Sequence, residues 1–125
     1  MFLLSANSFS QSSWGYWQQT DCLEGLDFRV KRGEYNKYAK KYKWYIEFRN
    51  RYSNNIHFSC IAVEPSRRSE IRNSGKTSDR THAKANGGTT TVWFLVNSSS
   101  EIYVYVNRIR INDKDWGVDY YDCDK

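Results

Sequence analysis

The chain has 125 residues, of which 39% are hydrophobic, 17% aromatic and 26% charged, and its net charge is +5. That length suits one domain of ordinary size. An average charged share, with one Pro and seven Gly, excludes a wholly disordered, collagen-like or linker-like chain, so the high aromatic share must supply much of the buried area.

Charge is unevenly placed. Residues 29–51 hold nine Lys/Arg against two Glu, and residues 113–125 hold five Asp against two Lys. A basic middle and an acidic tail can attract each other or face different partners.

In chain order, "MFLLSANSFSQ" comes first. Phe2, Leu3 and Leu4 form a short apolar run ahead of small polar residues, the layout of the end of a secretory signal peptide with its cleavage region. The run is short and no Lys or Arg precedes it. Residues 1–10 therefore read as a signal remnant or a disordered arm, with a mature start near Gln11. Residues 11–21 form an aromatic N-terminal segment, and residues 22–125 the folded domain. In the segment, Trp14, Tyr16 and Trp17 place flat rings among small polar residues, which suits stacking on sugars. The bland alternative is an arm that packs on the domain or frays.

"GLDFRVKR" alternates. Leu26, Phe28 and Val30 share one face, and Asp27, Arg29 and Lys31 the other, which is the pattern of a half-buried strand. Residues 34–43 set Tyr35, Tyr38 and Tyr42 at helical spacing, a candidate short helix. Together with Lys40 and Lys41 these tyrosines also make a nucleic-acid candidate, rings to stack on bases and cations to hold phosphates. "KWYIEFRNRY" buries Trp44, Ile46, Phe48 and Tyr52, while Lys37, Lys40, Lys41, Arg49 and Arg51 point at water. "SNN" at 53–55 reads as a hairpin turn to the next strand, "NIHFSCIAVE", which Pro65 ends.

Residues 65–88 are polar, with room for a short edge strand that the pattern does not place. "TTTVWFLV" is a strong strand of β-branched and aromatic residues, and "NSSSE" turns the chain. In "IYVYVNRIRI" the apolar positions switch from even to odd across Asn107 and Arg108. A β-bulge there keeps both sets on the core side. Turn signals between short strands point to an all-β fold, a single immunoglobulin-like β-sandwich of antiparallel strands behind the signal-like or disordered arm.

Three cysteines allow three pairings. Cys22 and Cys123 bracket the strands, while Cys60 lies on an apolar strand face where a free thiol behaves as a small hydrophobe. The expected bridge is Cys22–Cys123, unless the chain stays inside the cell and all three are reduced.

Catalytic and cofactor patterns are incomplete. "SGKTSD" ends like a phosphate-binding loop, but Glu70 stands where the first Gly is required. His57 and Cys60 fall on opposite strand faces. No spacing supplies a zinc set, and Asp113, Asp115 and Asp119 lack the Gly and Glu of a calcium loop. Asn97-Ser98-Ser99 fits a glycosylation acceptor, a triplet that often arises by chance. The reading is therefore not an enzyme and no cofactor. No stretch approaches the roughly 20 apolar residues of a membrane span.

"CLEGLDFRVKRGEYNKYAKKYKWYIEFRNRY", then "HFSC", "RIRI" and the terminal "DCDK", resembles a small family of uncharacterised secreted bacterial domains of the Bacteroidetes type, immunoglobulin-like β-sandwiches. The resemblance covers about residues 22–125 and implies fold and export, but no activity. The expectation is a secreted or periplasmic, non-catalytic binding or accessory domain that contacts a protein or a cell-envelope glycan. The alternative is a nucleic-acid-binding domain using residues 35–51, which export argues against.

Overall fold

A computed structural model describes residues 13–111. Residues 1–12 and 112–125 lie outside this range, and with them the signal-like remnant, the three aspartates of the calcium pattern and Cys123.

Seven strands form two antiparallel sheets: β1 (Gln18–Gln19), β2 (Leu26–Asn36), β3 (Lys41–Asn50), β4 (Ile56–Val63), β5 (Asp79–Ala83), β6 (Gly88–Val96) and β7 (Tyr103–Ile111). One sheet runs β1-β2-β3-β6 and the other β5-β4-β7, so the all-β sandwich is as read. Four strands against three is the division of a constant-type immunoglobulin sandwich; here the second and third strands are neighbours in one sheet. A short helix, α1 (Arg68–Ser74), follows a 3-10 turn at Pro65–Arg67.

Alternation decides the core. Trp44, Ile46 and Phe48 of β3 are fully buried and face Ile56, Phe58 and Cys60 of β4, also fully buried. Phe48 and Phe58 meet edge to face, ring centroids 4.7 Å apart. The buried Trp44 indole donates to Ser98 O at 2.9 Å, which ties the β6–β7 loop to the core.

The expected hairpin at 53–55 is not one. β3 and β4 lie in different sheets, so this segment carries the chain across the sandwich. The reason is the apolar face of β3, which needs a facing sheet rather than another lateral neighbour. Asn50 organises the corner from full burial. Its Nδ2 donates to Asn54 O at 2.8 Å and Ala83 O at 3.1 Å, and its Oδ1 accepts the N–H of Tyr52 at 2.9 Å.

The hairpin joins β2 to β3 instead, and the expected helix at 34–43 is absent. Tyr35 pairs with Tyr42 and Asn36 with Lys41 across the two strands. Asn36 Oδ1 accepts the N–H groups of Tyr38 at 3.0 Å and Ala39 at 2.9 Å, and Lys40 takes a left-handed φ of 57°. This local cap, plus the strand preference of tyrosines, outcompetes a marginal helix. An extra residue in β2 between Arg32 and Tyr35 turns Tyr35 to the same side as Tyr42, their rings T-shaped at 5.0 Å. Gly33 sits in this irregularity, where a Cβ would come within 2.7 Å of the Tyr45 ring.

The β-bulge in β7 is as expected. His57 pairs with Arg110 and Ser59 with Asn107, so β7 carries one residue more than β4 over that span, and Arg108 has a φ of 52°. Val104, Val106 and Ile109 are all buried in the core as a result. The unplaced edge strand is β5, which pairs with β4 from Ile56↔Ala83 to Cys60↔Asp79. The apolar outer end of β4 is covered by α1, where Ile71 packs with Val63 and Tyr105. Gly75 ends this helix at a φ of 65°, its N–H donating to Ile71 O, so it serves as a C-cap. Cys60 is a buried free thiol as read, and Cys22 packs against the core edge.

Of the cations expected in water, Lys37, Lys40, Lys41 and Arg51 are exposed. Arg49 is half-buried, because Arg49 and Arg51 converge on the buried carboxylate of Asp27 at 3.0 and 2.7 Å. Burial alone would raise the Asp27 pKa. The hydrogen bonds and charges of Arg51 and Arg49 outweigh it and hold the carboxyl below the ordinary value. A depressed folded-state pKa stabilises the fold above the unfolded value of about 3.9, and that stability is lost as pH falls below it. Asp27→Asn is therefore expected to lower stability at neutral pH by about 1–2 kcal/mol, modest because both guanidiniums still reach water. The wild-type advantage should shrink as pH drops below about 4. Urea unfolding of both proteins at neutral and acid pH measures it.

Candidate binding surface on the outer sheet face

Burying the even-numbered side of β3 forces its odd-numbered residues outward. Lys43, Tyr45, Glu47 and Arg49 line the outer face of the four-stranded sheet, beside Asp27, Arg29 and Lys31 of β2 and Thr91, Trp93 and Leu95 of β6. Arg29 pairs with Glu47 at 2.7 Å.

The aromatic arm lies on this face. Gly15 donates to Val30 O at 2.8 Å, and β1 pairs with β2 through Gln18↔Phe28. The Arg29 guanidinium stands 4.5 Å from the Trp17 ring centroid and 5.0 Å from that of Trp14. Arg49 sits 4.1 Å over Trp17, and the Lys31 ammonium 4.9 Å over Trp14. The series continues across the sheet, with Lys31 and Lys43 over Tyr45 at 5.4 and 5.2 Å and Lys43 over Trp93 at 4.4 Å. Cations and rings of one chain thus satisfy each other from β1 to β6.

At the β6 end the series opens into a groove of about 450 Å³ between the β2–β3 hairpin and β6. Glu34, Asn36, Tyr38, Lys43, Trp93 and Leu95 line it, with Tyr35 and Lys37. Tyr38 is 100% exposed, Trp93 52% and Tyr35 48%. Large rings open to water beside a carboxylate, an amide and ammonium groups offer flat stacking surfaces with hydrogen-bond partners at the rim.

The residues singled out by sequence therefore separate. Tyr38 belongs to the groove, and Tyr35 borders it with its ring turned to the Tyr42 side of the hairpin. Lys40 and Lys41 are exposed beside it without lining it. Tyr42 is half-buried against the core, with the Arg32 guanidinium 5.0 Å over its ring. Trp14 and Trp17 are half-buried under cations as part of the sandwich, while Tyr16 is 90% exposed on the arm. Sequence reasoning did not single out Glu34, Asn36, Lys37, Lys43, Trp93 and Leu95 as site residues. The alternation in "TTTVWFLV", which puts Thr91, Trp93 and Leu95 opposite Val92 and Phe94, was the available signal.

Among the described residues, the Cys60 thiol and both imidazoles lie on paired strands. Burial, with a smaller contribution from the Asp79 charge, pushes the Cys60 thiol up to about 12. His57 and His82 stack across β4 and β5 with centroids 5.4 Å apart. Among the described residues no cluster of His, Cys, Asp and Glu could hold a metal ion, and no helix is long and apolar enough to cross a membrane. No family model, curated protein or solved structure matches the chain.

Because two guanidiniums cover its ring, Trp17→Ala should lower stability by about 1–2 kcal/mol in thermal or urea unfolding. The double change Lys40→Ala, Lys41→Ala should cost no more than about 1 kcal/mol, as solvated charges do.

Proposed function

We propose that the protein is a non-catalytic binding domain that holds a glycan in the groove between the β2–β3 hairpin and β6. The observation that carries this reading is the exposure of Trp93 and Tyr38 on a groove that also presents Glu34, Asn36, Lys37 and Lys43, with Leu95 as its aliphatic group. A sugar ring presents an apolar C–H face and a polar rim, so it needs a flat aromatic surface together with nearby hydrogen-bond donors and acceptors. Trp93 and Tyr38 offer the surface; Glu34, Asn36 and Lys43 offer the partners. A protein ligand would more commonly find an apolar core with a polar rim, and this groove mixes both throughout.

Export belongs to the same proposal. A Cys22–Cys123 bridge would close the strand region in an oxidising compartment, with Cys60 kept out of exchange by burial. Peptide mapping of the non-reduced protein should recover Cys22 joined to Cys123; a peptide joining Cys60 to either would contradict it.

The alternative, single-stranded nucleic acid, draws on Tyr38 and the exposed Lys37, Lys40 and Lys41. Against it, Arg29, Lys31, Lys43 and Arg49 of the sheet face already lie over the chain's own rings, which leaves only the hairpin lysines to hold phosphates. A glycan array followed by titration of tryptophan fluorescence tests the proposal. Trp93→Ala and Tyr38→Ala should each weaken glycan binding about tenfold or more, equivalent to about 1.4 kcal/mol. Labelled single-stranded DNA should bind only at low salt. Tight DNA binding at physiological salt, with no glycan bound, would overturn the reading.

A further inference from the structure

Each sheet of the sandwich has two outer edges: β1 and β6 in one, β5 and β7 in the other. An edge strand offers unpaired backbone N–H and C=O groups to any chain that can approach, so edges usually carry a defence. Three of these edges do. β1 has only two residues, and beyond it the outer edge of β2 carries Arg29, Lys31, Arg32 and Glu34 and the irregularity between Arg32 and Tyr35. β5 has five, among them Asp79, Arg80 and His82. β7 carries Arg108 and Arg110 and is broken by its bulge.

β6 carries none of these defences. Its nine residues, GTTTVWFLV, include no charged side chain and no Pro. Its register with β3 runs unbroken from Tyr42↔Val96 to Asn50↔Gly88, so no bulge twists the edge away. Near its start, Thr81 Oγ1 and Thr90 Oγ1 lie 3.1 Å apart and close the corner with β5. From Thr91 to Leu95 no strand among the described residues pairs with the outer edge, and a groove of about 580 Å³ runs along it, walled on the other side by Asp79.

We infer that β6 is a strand-addition surface whose occupant is the β6 of a second copy of this chain, giving a two-fold dimer with one continuous sheet of eight strands. The open window is symmetric about Trp93. An antiparallel pairing centred there sets Trp93 against its own counterpart, Thr91 against Leu95, and Val92 against Phe94. Aromatic and β-branched pairs are the cross-strand combinations that stabilise sheets, and β6 itself places no like charges opposite each other; the Asp79 carboxylate on the wall of the window belongs to β5. In a chain of net charge +5, that property is what lets this strand approach its own copy. Because the other three edges are defended, each copy offers a single unprotected edge, and the pairing closes as a dimer instead of growing into fibres. One strand pair makes a small interface, so the dimer is weak and concentration-dependent. It would also set two glycan grooves on the same side of one sheet, although the inference does not depend on what those grooves bind.

Thr91 tests this cleanly. It is exposed, lies on the open window and does not line the glycan groove. Sedimentation velocity of the wild type should show a monomer–dimer equilibrium between micromolar and about millimolar concentration, the weak range of specific association. Thr91→Lys should leave only monomer, with the melting temperature of the diluted protein unchanged. The register has its own readout. Trp93→Cys should cross-link to its counterpart under mild oxidation, whereas Thr91→Cys, which faces Leu95, should not. A wild type that stays monomeric to about 1 mM would overturn the inference, as would a Thr91→Lys variant that dimerises like the wild type. Cross-linking of Thr91→Cys but not Trp93→Cys would overturn the register and the two-fold pairing with it.

Discussion

The structure depends on one contact between sheets, the meeting of Phe48 of β3 with Phe58 of β4 in the centre of the sandwich. Strand geometry alternates side chains with a period of two, so placing Phe48 in the core also places Trp44 and Ile46 there and sends Lys43, Tyr45, Glu47 and Arg49 outward. The basic and aromatic character of the outer face follows from that constraint. So does the crossing at residues 51–55, because Phe58 can meet Phe48 only from the opposite sheet.

A face crowded with cations would repel itself if left bare. Here most of the charges have local partners. Asp27 holds Arg49 and Arg51, Glu47 holds Arg29, and the rings of Trp14, Trp17, Tyr45 and Trp93 take cations on their faces. The high aromatic content thus has two uses, filling a core poor in aliphatic residues and covering charge on the outer sheet. The groove lies where this cover thins, at the hairpin and β6: Tyr38 is fully exposed, and Trp93, with Lys43 over its ring, still keeps about half of its surface in water.

The strands whose burial alternates were legible in the sequence. β2, β3, β4 and the bulged β7 follow from the alternation of residues 26–30, 44–48, 56–62 and 102–111, and β6 from the β-branched and aromatic run of residues 89–96. What sequence did not show depends on distant partners. Asn50 looks like an ordinary polar residue until its bonds to Ala83 and Asn54 are seen. The tyrosines of residues 34–43 fit a helix by spacing, but cross-strand pairing and the Asn36 cap decide otherwise. Of the eight residues lining the site, only Tyr35 and Tyr38 were singled out by sequence. Glu34, Asn36, Lys37 and Lys43 come from the same hairpin, while Trp93 and Leu95 join them only because β6 lies beside β3, a neighbour relation that no local pattern carries.

The central claim is that ligand is held at the groove and not on the aromatic arm. The indole N–H signals of the five tryptophans, observed by NMR during titration with a bound glycan, address it directly. The Trp93 signal should shift progressively and saturate, while those of Trp14, Trp17 and the buried Trp44 stay in place. Shifts confined to Trp14 and Trp17, with Trp93 unmoved, would contradict the account.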